Sequence, residues 1–383
     1  MTNASTSTAG LPEAGAHAPG KLILSGEHSV LYGSPALAMA IARYTEVWFT
    51  PMSPSEGLKT AFSNLSSGAR YSLQLLSRFK SKMDGRFDQF VRGELDVHKI
   101  LTHPDDLAVY TLSSLLQDKP QDTTAMPGIG ALNQLPIPGE LGSRSDLPIG
   151  AGMGSSAAIV AATTVLFENM LNRPKTLEER HERVCFCERL KHGKAGPIDA
   201  ASVVWGGLVR VRDGLIDTPS IAPNHGLISG KGWYWVLHGR PDCSTGECVS
   251  KVRQLHEHDT PLWDSFTACT HAIEQALQQG DDPSTAITEN QRLLEHIGVV
   301  PTTTQAFIRD IEAIGGAAKI CGAGAIRGDA GGAILVHLND PDAMSILMAK
   351  HPELSWSPLQ LSLTGAASGP APSTKTPNPE AQR

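Results

Sequence analysis

The run L-P-I-G-A-G-M-G-S-S-A-A, residues 147–158, decides how the rest of the chain is read. Gly150, Gly152 and Gly154 lack a Cβ, so successive backbone N–H groups can turn toward one point and wrap an anion. Met153 lies between them, and Ser155 and Ser156 open an Ala-rich stretch of helical period, whose free N–H groups and dipole would add to the attraction for a phosphate. No Lys precedes the serine pair as a Walker A loop requires, and Ser155 stands where a dinucleotide fingerprint has its third glycine. The segment reads as an anion cradle leading into a helix. A Ser-capped turn with no ligand is the plainer alternative.

Working outward, strand-like runs at residues 22–24, 44–49, 207–211, 233–237 and 333–337 alternate with helical periods at 155–171, 177–190, 263–279, 283–297 and 302–314. An α+β protein is expected. At 383 residues the chain exceeds the roughly 250–300 at which one core stops growing, so two domains around a cleft are expected. Residues 217–232, rich in Pro and Gly, are the candidate boundary, dividing the chain into 17–225 and 226–363. Residues 1–16 and 364–383, composed of small, polar and Pro residues, are expected to be disordered and outside the fold.

Composition narrows the function classes. With 40% hydrophobic and 19% charged residues and a net charge of −7, and without a basic stretch interleaved with aromatics, neither nucleic acid nor a membrane surface is expected as a partner. The absence of an apolar run of about 18 residues and of a signal-peptide pattern points to the cytoplasm. The six cysteines are too sparse for a disulfide framework. Cys243, Cys248, His256 and His258 lack the spacing of a zinc ribbon or finger, and the stretch between them has a helical look.

Three further segments carry chemistry. In A-P-G-K-L-I-L-S-G-E-H-S-V-L-Y-G, residues 18–33, Lys21 opens a strand beside a Pro-Gly turn and could hold a fixed charge at a reacting oxygen, while Glu27 and His28 at the strand end could hydrogen-bond a polar substrate. In C-E-R-L-K-H-G-K-A-G-P-I-D-A-A-S, residues 187–202, Glu188 and Asp199 flank a Gly-bearing reversal. Phosphoryl transfer needs one carboxylate for Mg²⁺ and another to orient or accept the hydroxyl proton. In A-A-K-I-C-G-A-G-A-I-R-G-D-A-G-G-A-I-L-V, residues 317–336, Gly322 and Gly324 could close a second loop over a triphosphate, or form only a tight hairpin. Each segment alone has a plain structural reading: a snorkelling Lys, a solvated turn, a capping Asp.

Together, and in this order, the segments resemble the GHMP kinases, whose three motifs are a P-G-K/R segment, a P-x-x-x-G-L-G-S-S-A-A loop and a late G-A-G loop. The likeness spans residues 18–363. It implies a two-domain fold, the N-terminal domain like domain 2 of ribosomal protein S5 and the C-terminal domain ferredoxin-like, with the active site in the cleft between them. Within the superfamily, G-E-H-S-V-L-Y-G, the H-G reversal before an acid and S-T-G-E-C-V around Thr245 resemble the mevalonate kinase branch. The resemblance implies ATP and Mg²⁺ as cofactors and the 5-hydroxyl of mevalonate as acceptor. It gives Asp199 and Lys21 the catalytic roles, Ser156 and Glu188 the metal, and Glu27, His28 and Thr245 the substrate. Gly150, Gly152, Met153, Gly154, Ser155, Ser156, Gly322 and Gly324 would hold ATP.

Two departures keep alternatives open. The family pattern H-G-x-x-S-G-x-D reads H-G-K-A-G-P-I-D here, so Gly196 and Pro197 replace a hydroxyl donor and a Gly. The late loop is longer, with Arg327 and Asp329 inserted, and Arg327 could reach a phosphate or carboxylate. A GHMP kinase for another alcohol, such as phosphomevalonate or a sugar, and a non-catalytic nucleotide or metabolite sensor are the other readings. A homodimer is left open.

Overall fold

In the computed structural model, which describes residues 14–52, 57–63, 68–117, 138–148 and 150–373, the apolar runs assemble two sheets and the helical periods cover them. The chain runs through β1 (Ala14–Ser25), β2 (Ala36–Pro51), β3 (Leu58–Phe62), β4 (Arg70–Tyr71), α1 (Leu73–Val91), α2 (Asp106–Leu116), β5 (Gly139–Ser145), α3 (Ser155–Met170), α4 (Leu177–His192), α5 (Pro197–Trp205), β6 (Leu208–Arg212) and β7 (Leu215–Asp217). After the single turn α6 (Gly226–Ser229) come β8 (Trp233–His238), α7 (Thr245–His256), α8 (Thr260–Gln279), α9 (Ser284–His296), α10 (Thr302–Ala313), β9 (Ala317–Cys321), β10 (Gly332–His337), α11 (Pro341–Ala349), β11 (Ser355–Pro358) and β12 (Ala367–Ser368).

The first sheet has the order β12-β1-β2-β5-β3-β4, with β6 pairing β2 and β7 pairing β6. The second, β11-β8-β10-β9, is antiparallel throughout, so its strands lie in the chain order fourth, first, third, second, which is the ferredoxin-like arrangement. The protein is α+β, with two sheets and helices packed on them among the described residues. The chain crosses from the first sheet to the second between Asp217 and Trp233.

Helix α3 has no polar face because it is enclosed. Ala157, Ala158, Ala161 and Ala162 let its backbone come close to β1 and β2, while Val160, Val165, Leu166 and Phe167 fill the surrounding core. Strand β1 slips register against β2 between Pro19 and Gly20, a bulge that re-aims the next side chain, Lys21. A Cβ on Gly20 would stand 2.3 Å from Leu147 Cδ2 and 3.0 Å from Met153 O, so glycine lets the loop pack closely on the strand there.

The two sheets are joined by buried polar contacts. Ser25 at the end of β1 hydrogen-bonds Thr270 of α8 (2.7 Å) and accepts from Asn290 of α9 (3.0 Å), and Ser34 donates to the Trp263 carbonyl (3.0 Å).

The expectation that order ends at residue 363 is corrected. Ala366 is buried, its N–H donates to Val203 O (2.8 Å), and β12 pairs antiparallel with β1. The composition of this stretch offers little apolar surface, but its backbone groups complete a sheet edge, which composition does not reveal. Strand β1 likewise begins at Ala14, inside the segment expected to be disordered; residues 1–13 and 374–383 lie outside the described residues.

A Cβ on Gly365 would stand 2.0 Å from Val204 O and 2.9 Å from Gly206 N. Gly365→Ala should therefore lower stability by about 1–3 kcal/mol. Gly246→Ala, at a site in α7 whose nearest atom is 3.9 Å away, should be neutral or stabilising. Thermal melts of the two variants against the parent protein check the contrast.

Candidate active site

Strand β12 covers only Ala16 and His17 of β1, so the edge of β1 is free further along. There Lys21 N–H donates to Met153 O (3.0 Å), which docks the first glycine loop on the strand. The Lys21 side chain then runs across Gly154, whose φ is +77° and where a Cβ would stand 2.7 Å from Lys21 Cγ. Glycine is required at 154 both by its left-handed conformation and by the side chain lying on it. The ammonium ends 2.7 Å from Asp199 Oδ1, with the Lys21 side chain 4% exposed and that of Asp199 38%.

Asp199 is held in the first turn of α5, with Gly196 as N-cap and Pro197 at the first helical position. Proline there has its φ preset and gives up an N–H that would be unpaired, and an acid in the first turn is favoured by the helix dipole. The pair Gly196-Pro197 thus starts the helix that carries the acid. The Pro197 carbonyl accepts from His181 Nε2 (3.0 Å), and burial holds the His181 imidazole below its usual range.

Ser156, one residue into α3, donates to Glu188 Oε2 of α4 at 2.8 Å. His192 Nε2 lies 3.4 Å from the same oxygen, and Glu188 Oε1 is buried with no hydrogen-bond partner among the described residues. A hydroxyl beside an orphaned carboxylate oxygen is a donor set that suits a hard divalent cation. No group of three or more His, Cys, Asp or Glu side chains is placed to hold a metal among the described residues, so phosphate oxygens and water would supply the remaining ligands.

The second glycine loop, residues 322–331 between β9 and β10, faces the first. A Cβ on Gly152 would lie 3.7 Å from Cys321 O, and one on Gly332 would lie 4.0 Å from Ala151 O. Gly322 and Gly324 both have left-handed φ, and Gly324 packs so tightly that a Cβ would stand 2.1 Å from Val299 O. Arg240, exposed after β8, lies over Gly150, its Cδ 3.9 Å and Nε 4.0 Å from where a Cβ would be. In the first loop Gly150 and Gly152 are exposed and face Arg240 and the β9–β10 turn, Ser155 and Ser156 are half-buried, and Met153 and Gly154 are buried.

Glu27 and His28 are not the solvated turn that their sequence setting allows. Glu27 forms an ion pair with Lys319 of β9, both side chains fully buried, and Lys319 also donates to Ile320 O at 2.7 Å. His28 Nε2 lies 3.1 Å from Ala323 O. A carbonyl only accepts, so Nε2 carries the proton and Nδ1 is left as a bare acceptor. Burial holds this imidazole below its usual range, and it is neutral at pH 7. Glu27 Oε2 and His28 Nδ1 are both buried with no hydrogen-bond partner among the described residues.

Thr245 is exposed at the start of α7, between the capping-box residues Ser244 and Glu247, and makes no side-chain hydrogen bond to the group around Lys21 among the described residues. Arg327, read as free to reach a phosphate, is engaged elsewhere: it donates to Asp242 O (3.0 Å) and pairs with Glu247 Oε1 (2.7 Å), tying the late loop to α7. The Ser244 N–H, then Arg327, hold the Glu247 carboxyl down at about 2. Sequence reasoning passed over Lys319 and Arg240. The signal for Lys319 was a lone Lys inside the apolar strand A-A-K-I-C, which must have a buried counter-charge. Arg240 gave none, since a single Arg after a strand is ordinary.

Removing one member of a buried ion pair leaves the other uncompensated. Lys319→Ala should cost about 3–5 kcal/mol, and the double variant Glu27→Gln with Lys319→Met should recover most of that loss. Urea unfolding followed by tryptophan fluorescence checks both.

Residues 129–207 match the model of the GHMP kinases N terminal domain. Bovine (Bos taurus) mevalonate kinase is 26% identical over 349 residues, covering 80% of this chain and 82% of its own. The crystal structure of the Methanococcus jannaschii mevalonate kinase superposes with a TM-score of 0.70 at 16% identity, over 93% of this chain and 99% of its own. That of L. major mevalonate kinase in complex with R-mevalonate gives 0.63 at 18% identity, over 92% and 94%. The matched region contains the first glycine loop and Asp199, and over most of its length the chain is similar to small-molecule kinases of the GHMP type, mevalonate kinases among them.

Proposed function

We propose that this chain transfers the terminal phosphoryl group of ATP, with Mg²⁺, to the 5-hydroxyl of mevalonate, giving 5-phosphomevalonate for isoprenoid precursor biosynthesis. The observation that carries the reading is the Lys21–Asp199 pair at 2.7 Å, set beside a glycine cradle at the start of α3. Asp199 keeps one face toward solvent and is open to a hydroxyl, which it orients and relieves of its proton. Lys21, fixed by Gly154 and by its own paired charge, stabilises the negative charge that grows on the attacking oxygen. In a loose transition state the proton moves late, so positioning and charge stabilisation outweigh base strength.

The N–H groups of the first loop cradle the phosphates, with Gly322 and Gly324 opposite. Ser156 and Glu188 would hold Mg²⁺, which when bound neutralises phosphate charge. Glu27 and His28 offer their unpartnered atoms, Oε2 and Nδ1, to the hydroxyl groups of the acceptor, and Thr245, exposed at the start of α7, is the third residue we assign to it. The partners are ATP and the alcohol, with no nucleic acid or membrane, in the cytoplasm; no helix among the described residues is long and apolar enough to cross a membrane. A homodimer is compatible with this reading.

A second reading, a GHMP kinase for another alcohol such as phosphomevalonate or a sugar, draws on Gly196-Pro197 at the site and on the Glu27 carboxylate being committed to Lys319. A sensor without chemistry would have no use for a buried Lys aimed at a half-exposed Asp.

A coupled ADP-release assay with ATP and Mg²⁺, across mevalonate, 5-phosphomevalonate, galactose and homoserine, separates these readings. Turnover on mevalonate is expected, abolished by EDTA, lowered by about 10²–10⁴ in Asp199→Asn and by about 10²–10³ in Lys21→Met. Activity on another of the alcohols alone would transfer the assignment to it. Silence on all four with ATP still bound would leave the sensor.

A further inference from the structure

Cys243 precedes the N-cap of α7 and Cys248 lies in its second turn. Their sulfurs are 3.3 Å apart, in contact but not bonded. Both also hold the late glycine loop: Ile326 N–H donates to Cys243 Sγ (3.4 Å), and the Cys248 thiol donates to Gly324 O (3.6 Å). Cys243 is half-buried and within electrostatic reach of the Arg327 guanidinium, whereas Cys248 is fully buried. Among the described residues this is the one pair of cysteines whose sulfurs meet. An accessible thiol beside a cation, a backbone N–H and a second thiol is the setting of a redox-responsive cysteine with its resolving partner.

We infer that Cys243 and Cys248 form a thiol–disulfide latch on the late glycine loop, closed by a low-molecular-weight disulfide such as oxidised glutathione. The Cys243 thiolate attacks one sulfur of the oxidant, whose S–S bond breaks. A mixed disulfide forms on Cys243, and the first glutathione thiolate leaves and takes up a proton. Cys248 then loses its proton to solvent, and its thiolate attacks Cys243 Sγ and expels the second glutathione thiolate. Two protein thiols are oxidised to one disulfide while one oxidised glutathione is reduced to two glutathione molecules. Burial pushes the Cys248 thiol up, so the half-buried Cys243 is the attacking sulfur and Cys248 the resolving one, and the mixed disulfide precedes the protein disulfide.

Bond formation draws the sulfurs from 3.3 Å to about 2.05 Å and removes the Cys248 S–H donor. The tether to Gly324 is lost outright and the one from Ile326 is strained. The loop keeps the Arg327 contacts to Asp242 and Glu247, the His28 contact to Ala323 O and the Ala325 N–H bond to Val299 O, so the loosening is local to the stretch around Gly324 and Ile326, next to Arg327. That this lowers triphosphate affinity rests on the kinase reading above, but the disulfide and the loosened loop do not.

The test uses the full chain before and after oxidised glutathione, with thiols alkylated and mapped by mass spectrometry. A Cys243–Cys248 disulfide is expected, preceded by glutathione on Cys243, with Cys185, Cys187, Cys269 and Cys321 remaining alkylatable after unfolding. Trypsin should cleave after Arg327 several-fold faster in the oxidised protein. ADP release should fall by about an order of magnitude, as the loss of one or two hydrogen bonds would give, and dithiothreitol should restore it. Cys243→Ser should keep the parent's reduced rate and lose the response to oxidant; it is half-buried, so it serves even where Cys248→Ser folds poorly. Both thiols still alkylatable after oxidation would overturn the latch. So would a disulfide that leaves cleavage at Arg327 unchanged, a readout that stands whether or not the protein turns over mevalonate.

Discussion

A lysine side chain only 4% exposed has to be kept charged, and most of the first domain answers to that requirement. An ammonium taken out of water without a counter-charge costs several kcal/mol, so Asp199 must be delivered to within 2.7 Å of it. The delivery is done by α5, whose start is fixed by Gly196 and Pro197, and the ammonium is brought to meet it by a β-bulge at Gly20 and a missing Cβ at Gly154. The Met153 carbonyl, bound to Lys21 N–H, adds the phosphate loop to the same strand edge. One backbone hydrogen bond thus places the loop relative to the charged group.

The second domain is coupled to this centre through dry contacts rather than across open water. Glu27 with Lys319, His28 with Ala323, and the cluster of Ser25, Thr270 and Asn290 all join the end of β1 to the second domain. The hydrogen bonds and the ion pair they make hold only while the two sheets stay in register, so domain displacement near the site breaks buried polar contacts at a cost. The covalent crossings lie together as well: Leu361 N–H donates to Leu227 O (2.8 Å) and Leu359 N–H to Trp233 O (2.8 Å), so the outgoing and returning strands of chain are stitched side by side.

Much of this was legible before any coordinates. The helical periods at 155–171, 177–190, 283–297 and 302–314 are α3, α4, α9 and α10 to within two residues at each end: α9 and α10 alternate apolar and polar positions over three turns, and α3 is an Ala-rich apolar run too long for a strand. The two glycine loops were legible because left-handed backbone favours glycine. Three things were not. The partners of Glu27 and Arg327 lie 292 and 80 residues away, and nothing local distinguishes a paired charge from a solvated one. Strand β12 is two residues long, too short for any period. The meeting of Cys243 with Cys248 depends on how the α7 entry bends, which spacing alone leaves open.

The pairing of β12 with β1 has a consequence for the order of assembly. His17 bonds Gly369 across 352 residues of chain, and the whole second domain lies between them. Loop closure over such a separation comes late, because its entropy is spent before the contact rewards it. While the intervening domain is still being synthesised, the outer edge of β1 around Ala16 and His17 stands unpaired, a surface on which another strand can settle. The bulge at Pro19-Gly20 interrupts that edge after only a few residues, so the open ladder is too short and too bent to template a long misplaced strand.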